Sequence, residues 1–272
     1  MIAGALYVPP RSNPLALPPL QRMPHPISVV LITLDAERSL EACLRSVTFA
    51  DEIVVVDSGS RDQTCAIAAR YGARVIGQAW LGFGPQKRFA VAAARNEWVL
   101  CIDADEQVSE RLRASIEAEM SIASPRATAF ECARCNRFMG RWLRHGEGYP
   151  DWSLRFFRRD RAAWTDSAVH ERVDAIDPVL RIDGDLLHDS AETLERYIAK
   201  QSRYAGLLAR DLRRRGVIRN SLSLVFSPLV RFVRFYVLRA GFLDGWPGFV
   251  HIAIGSATSG AKYWKALRCA PL

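Results

Sequence analysis

Apolar positions in the first hundred residues come as short unbroken runs rather than as stripes. Residues 27–33 read ISVVLIT directly after a proline, residues 53–56 and 98–102 form two further runs, and 73–76, interrupted by Arg74, reads as a short strand. Runs of this length and β-branched content predict strands buried on both faces. Between them the spacing turns helical. Leu40, Leu44 and Val47 mark a helix over 39–47; Ala66, Ile67 and Ala69 mark a second, which Asp62 can cap and Gly72 ends. A glycine-punctuated loop over 80–85 leads into a helix over about 86–94, and Ser109 opens another helical segment as its cap. This alternation predicts an α/β fold, a mostly parallel sheet with helices on both faces.

The pattern changes beyond Thr128. Residues 128–135 read as a strand. Then Arg134, Arg137, Arg141, Arg144, Arg155, Arg158, Arg159 and Arg161 alternate with Phe138, Trp142, Tyr149, Trp152, Phe156 and Phe157. Arginine among aromatics suits nucleic acid, a phosphate-bearing acceptor, or an aromatic core element whose arginine stems cover apolar surface. A helix follows over 193–215, with Arg213, Arg214 and Arg215 where cations suit its dipole. Residues 222–238 are apolar with Arg231 and Arg234 inserted, and 240–257 are small and apolar around Asp244 and Pro247. This stretch predicts a segment lying at the headgroup level of an anionic membrane, with a packing or dimer helix as the competing reading. No apolar run is long enough to span a bilayer. Residues 1–26 carry seven of the prolines and no secretory pattern, and predict a disordered leader. The expected division is therefore 1–26, an α/β domain over 27–190, and a helical extension over 191–272.

A chain of 272 residues with 49% hydrophobic content can fill a substantial core, and its net charge of +8 calls for an anionic partner. Of six cysteines, four sit in apolar segments and read as buried thiols of a reducing compartment. Cys132 and Cys135 have C-x-x-C spacing, but no second Cys/His pair stands at zinc-site distance.

Candidate chemistry gathers at three strand ends. The first predicted strand runs into Asp35 and Glu37, the second ends in Asp57, and the fourth ends in Asp103, Asp105 and Glu106. In a parallel sheet these ends share one edge, where open α/β sheets bind ligands. Gathered carboxylates repel unless a cation compensates, and a divalent metal carrying a diphosphate would do so.

The segments ISVVLITLDAE (27–37), DEIVVVDSGSRDQT (51–64) and DADE (103–106) resemble family 2 glycosyltransferases of the GT-A fold. GFGPQKRFA (82–90), GRWLRHGEGYPDWSLRFFRR (140–159), VHE (169–171) and GFLDG (241–245) extend the resemblance to the subgroup that adds a sugar to the lipopolysaccharide inner core, similar to its β-1,4-glucosyltransferase branch. LDAE stands where many members have asparagine closely followed by glutamate, and Pro150 stands where the second-half Glu-Asp motif has its glutamate.

The resemblance implies an inverting transfer from a nucleotide sugar, a UDP-sugar with glucose as the expected sugar, to a lipid-anchored saccharide. It implies Mg²⁺ or Mn²⁺ held by Asp105, with Asp103 facing the ribose or metal-bound water. Asp57 would contact the base, with Asp35 and Glu37 beside the nucleoside. Arg155 and Arg158 would bind phosphate. Asp151 would be the base that takes the acceptor proton, with Glu171 in reserve; its neighbour His170 is more simply a structural hydrogen bonder. The expected location is cytoplasmic, peripheral on the inner membrane, with no nucleic-acid partner. The alternatives are a non-enzymatic RNA or anionic-lipid binding module, which leaves the acids unexplained, and a nucleotidyltransferase, which would release pyrophosphate.

Overall fold

Strand β1 (Ile27–Thr33) is the axis of the sheet, and its side chains alternate between two cores. Ile27, Val29 and Leu31 pack into one buried cluster and Val30 into the other. The structure is a computed structural model and describes residues 24–166, 171–190, 193–214 and 222–268. The expected leader lies outside the described residues except for Pro24, His25 and Pro26, and so does His170.

From β1 the chain runs through α1 (Glu37–Ser46), β2 (Glu52–Asp57), α2 (Thr64–Arg70), β3 (Arg74–Gly77), α3 (Phe83–Ala93) and β4 (Trp98–Cys101). Strands β3, β2, β1 and β4 lie side by side in parallel. Helices α1 and α2 cover one face through Leu40, Leu44 and Ile67; α3 covers the other through Ala90 and Val91. Helix α3 begins earlier than its spacing predicts, because Pro85 sits in the first turn, where a missing N–H costs nothing.

The second half completes the sheet by antiparallel insertion. After β5 (Glu106–Val108) comes α4 (Glu110–Ser121), capped by Ser109, whose Oγ accepts from the Leu112 N–H at 3.2 Å. Then follow β6 (Ala129–Phe138), β7 (Arg141–Trp142), β8 (Asp151–Arg158), β9 (Ala162–Trp164), β10 (Val173–Ala175) and β11 (Leu180–His188). The sheet order is β3-β2-β1-β4-β8-β6-β11-β5, with β8 antiparallel to both neighbours and β9–β10 a separate hairpin. The arginine–aromatic stretch is thus largely strand. Phe156 packs against Trp98 and Phe130, with ring centres 5.0 and 5.8 Å away.

Strand β8 carries a bulge. Phe130 pairs with Phe156 and Glu131 with Leu154, so Arg155 is the extra residue. A bulge breaks the alternation. Leu154 and Phe157 therefore both face the second core while Phe156 faces the first.

The remaining chain is helical: α5 (Leu194–Arg214), α6 (Leu222–Phe232), a π-helical turn over Val233–Leu238, a 3-10 turn over Gly241–Asp244, and α7 (Gly245–Arg268). The GFLDG motif is a clasp. Asp244 accepts from the backbone N–H of Arg144 and of His145 and pairs with His145 Nδ1 at 2.9 Å, tying the helices to the loop before β8. Gly241 belongs there for lack of room: a Cβ would lie 2.7 Å from the Phe235 carbonyl oxygen.

Candidate active site

Parallel pairing brings the ends of β1, β2 and β4 to one edge, but their acids do different work there. Asp57 is buried and organises its own loop. Its carboxylate accepts from Thr33 Oγ1 at 2.9 Å, from the Gly59 and Ser60 N–H groups at 2.9 and 2.8 Å, and from Ser60 Oγ. Burial would raise its pKa; these donors, Ser60 first, hold it lowered. Asp35 and Glu37 are exposed and stitch adjacent loops together, accepting from the backbone N–H of Arg61 and of Gln63.

Asp103 is met by cations of the chain itself. Lys87 Nζ, buried on α3, lies 3.0 Å from Asp103 Oδ1, and Arg155 Nη2 lies 3.1 Å from Oδ2. Burial alone would raise this carboxyl; Arg155 and then Lys87 outweigh it and hold it well below the usual range. Beneath it Glu106, fully buried, faces Arg155 at 3.2 Å and Arg134 Nε at 2.9 Å. Its carboxyl is raised, chiefly by burial. The charge compensation expected from a metal is thus supplied at Asp103 by protein.

Asp105 has different company. His188, at the end of β11, places Nε2 at 3.2 Å from Asp105 Oδ2. Its Nδ1 lies 2.7 Å from Asn136 Oδ1, an arrangement in which the ring donates its Nδ1 proton to the amide oxygen. Nε2 then either carries a second proton or turns a lone pair toward Asp105. A cation bound between imidazole and carboxylate resolves the second case, and second-shell support of this kind is typical of ligand histidines. Among the described residues no group of three or more His, Cys, Asp or Glu could hold an ion by itself. Mg²⁺ takes one or two carboxylates and completes its shell with water and substrate phosphate, so the donor set fits such an ion shared with a diphosphate.

Two cavities meet here. One, of about 590 Å³, is lined by Ile32, Thr33, Trp80, Phe83, Asp105 and His188 among others. The second, of about 520 Å³, is lined by Arg134, Trp152, Arg155 and Trp164 among others. Lys87, Asp103 and Glu171 line both. Asp57 stands behind Thr33 rather than in the wall. Glu171, on the segment before β10, lies 3.5 Å from Lys87.

Two expected positions shift. Arg158 is not brought to this group: it sits opposite Trp98 at the start of β4, at the far end of the sheet, and pairs with Asp160. The bulge aims Arg155 into the site while Arg158 lies three residues further along an antiparallel strand. Asp151 is at the correct edge but exposed, 3.8 Å from Arg134, and lines neither cavity. Other arginines of the segment find acids within the fold: Arg137 pairs with Asp189, Arg144 with Asp185 and Arg161 with Asp177.

A family model for glycosyl transferase family 2 matches residues 28–176, more than half of the chain. The chain belongs to glycosyl transferase family 2. That membership decides among the sequence-based alternatives in favour of the transferase, and with the strand order it gives the GT-A fold class. An uncharacterized glycosyltransferase of Rickettsia typhi is 30% identical over 235 residues, 82% of this chain and 80% of the relative. The lipopolysaccharide core biosynthesis glycosyltransferase LpsC of Rhizobium meliloti is 29% identical over 238 residues, 85% of this chain and 88% of the relative. Among solved structures, glucosyl-3-phosphoglycerate synthase of Mycobacterium tuberculosis with Mn²⁺, UDP and glucosyl-3-phosphoglycerate aligns at 25% identity with a TM-score of 0.35. The alignment covers 42% of this chain and 45% of that one.

Sequence reasoning assigned no role to Lys87, Arg134 or His188. Lys87 lay in view within GFGPQKRFA and Arg134 within the arginine-rich stretch; His188 had only the end of an apolar run to mark it.

Proposed function

We propose that this glycosyltransferase moves a sugar, with inversion, from a UDP-sugar in the Asp105 cavity to a saccharide acceptor in the Arg155 cavity. The observation that carries the reading is the shared wall of Lys87, Asp103 and Glu171, where two substrates would meet. Trp80 and Phe83, half-exposed and edge-to-face at 4.8 Å, offer the donor an aromatic border. Asp105 and His188 would hold Mg²⁺ or Mn²⁺, which supplies charge neutralisation to the departing diphosphate.

Glu171 is supported as the base by its place in both cavities, within reach of an acceptor hydroxyl. It takes the hydroxyl proton as the oxygen attacks the anomeric carbon and the C–O bond to the diphosphate breaks on the opposite face. Lys87 holds Glu171 and Asp103 in place until then. Asp151, first expected in this role, is exposed, lies 3.8 Å from Arg134 and lines neither cavity.

The acceptor is proposed to be lipid-borne and of the lipopolysaccharide-core kind, in line with the likeness to LpsC. Among the described residues no helix is long and apolar enough to cross a membrane. The helical end does expose Val230, Leu238, Phe242 and Trp246, each at least half exposed, with Arg234 and Arg239 beside Phe235. Bulky apolar side chains interspersed with arginines suit the surface of an anionic cytoplasmic leaflet.

Calorimetric titration of UDP with and without Mn²⁺ tests the donor site. UDP should bind with Mn²⁺ and weaken at least tenfold in Asp105→Ala and in His188→Ala. Equal binding in these variants and the parent removes the metal role.

A further inference from the structure

Helix α3 presents Phe83 to the donor cavity and Lys87 to Asp103 and Glu171, and buries Gln86 completely between them. Gln86 lines neither substrate cavity. Its amide is nevertheless fully engaged. Nε2 donates to Ser58 Oγ at 3.1 Å and to the Gln78 carbonyl at 3.2 Å, and Oε1 accepts from the Leu81 N–H at 3.2 Å. Ser58 follows Asp57 at the end of β2, while Gln78 and Leu81 enclose Trp80 in the loop before α3. A buried amide with its donors and its oxygen satisfied fixes the segments it joins.

That loop has little else to hold it. From Gly77 to Phe83 no residue is buried, and Trp80, Leu81 and Phe83 are each about half exposed. A segment with so few buried apolar contacts opens easily unless hydrogen bonds hold it. At its start the Gln78 N–H donates to the Asp57 carbonyl at 2.9 Å, and at its end the Gln86 N–H donates to the Gly82 carbonyl at 2.9 Å. Between these ends the Gln86 side chain reaches Leu81, the neighbour of Trp80. Trp80 and Phe83 then meet edge to face where both line the Asp105 cavity.

We infer that Gln86 is a positioning residue for the donor: from inside the fold it ties the Trp80 loop to the end of β2, so that the aromatic border stands in place before the nucleotide arrives. The inference rests on the transferase reading, which assigns this cavity to the donor. Such preorganisation shows as affinity, because a loop that the ligand must order takes that cost out of binding.

A double-mutant cycle on UDP binding with Mn²⁺, by calorimetry on the full chain, separates positioning from general support. Trp80→Ala should weaken UDP about fivefold, the loss expected for one aromatic contact. Gln86→Met, close in volume but without the amide, should weaken it by about the same factor, and the double variant by little more than either single one, because both remove one contact. Factors that multiply to about twenty-five in the double variant, or unchanged binding in Gln86→Met, overturn the inference. Should Gln86→Met fail to fold, Ser58→Ala removes one partner of the amide and runs the same cycle with a first step of about twofold, additivity again counting against it. Hydrogen exchange reads the loop without ligand: the Leu81 amide should exchange about tenfold faster in Gln86→Met than in the parent, and equal rates overturn the inference. UDP that fails to bind the parent with Mn²⁺ counts instead against the transferase reading.

Discussion

Lys87 and Asp103 meet at 3.0 Å on the wall between the two cavities, sixteen residues apart in the chain and on different elements. The lysine is buried, so the pair is structural as well as chemical. Lys87→Met leaves Asp103 with Arg155 alone and should cost about 2 kcal/mol, less than the loss of a sole partner because one cation remains. Urea unfolding checks this. Turnover should fall by a larger factor than stability predicts, because Glu171 also loses its anchor; equal transfer rates at saturating substrates would refute the positioning role.

The two candidate bases can be separated by isosteric substitution. Glu171→Gln should lower kcat by roughly 10²–10⁴ with little change in the KM for donor, the range expected when a general base is removed. Asp151→Asn, at an exposed residue, should cost far less. The reverse order would return the role to Asp151.

Acid should act in part through Asp103. Its carboxyl is held below the unfolded value of about 4, so its contribution to stability is present above that pH and is lost as pH falls through and below it. Glu106 is raised and contributes in the opposite sense, favouring the fold at low pH and losing that contribution as pH rises through its folded value. Asp103→Asn should therefore flatten the acid limb of stability below about pH 4, read as the urea midpoint against pH. An unchanged limb would mean that other acids dominate.

The exposed apolar side chains of the helical end should bind lipid. Vesicles of phosphatidylglycerol should carry the chain in flotation at low salt, phosphatidylcholine vesicles much less, and added salt should weaken the attachment. Leu238→Ser combined with Trp246→Ser, at residues 76% and 66% exposed, should reduce binding about tenfold, in line with the apolar area withdrawn. Absence from anionic vesicles at low salt would rule the surface out.

The order of elements through β4, and the helix opened by Ser109, were legible from local pattern, because continuous apolar runs and helical spacing are properties of neighbouring residues; the three-residue strand β5 between them was not. The short strands after Phe138 were not. Their arginines and aromatics make sense only once β8 is inserted between β4 and β6, where Phe156 and Phe157 face opposite cores. Arg155 and Arg158 looked equivalent in sequence. Register separates them: one is the extra residue of a bulge beside Asp103, the other lies opposite Trp98 at the far end of the sheet.

By itself, then, the chain's residue order determined that β1, β2 and β4 would be buried parallel strands, and that Asp35, Asp57 and Asp103 would share one edge. Parallel strands must align their ends, so that conclusion follows from local information. Which acids are spoken for was decided in three dimensions. Asp57 is consumed by its own loop, Asp103 by Lys87 and Arg155, and Asp105 is left with His188 from the last strand of the sheet. Ionic partners act over a few ångströms regardless of separation along the chain, and it is cross-strand pairing, the seating of α3 on the sheet and a one-residue bulge that establish those distances.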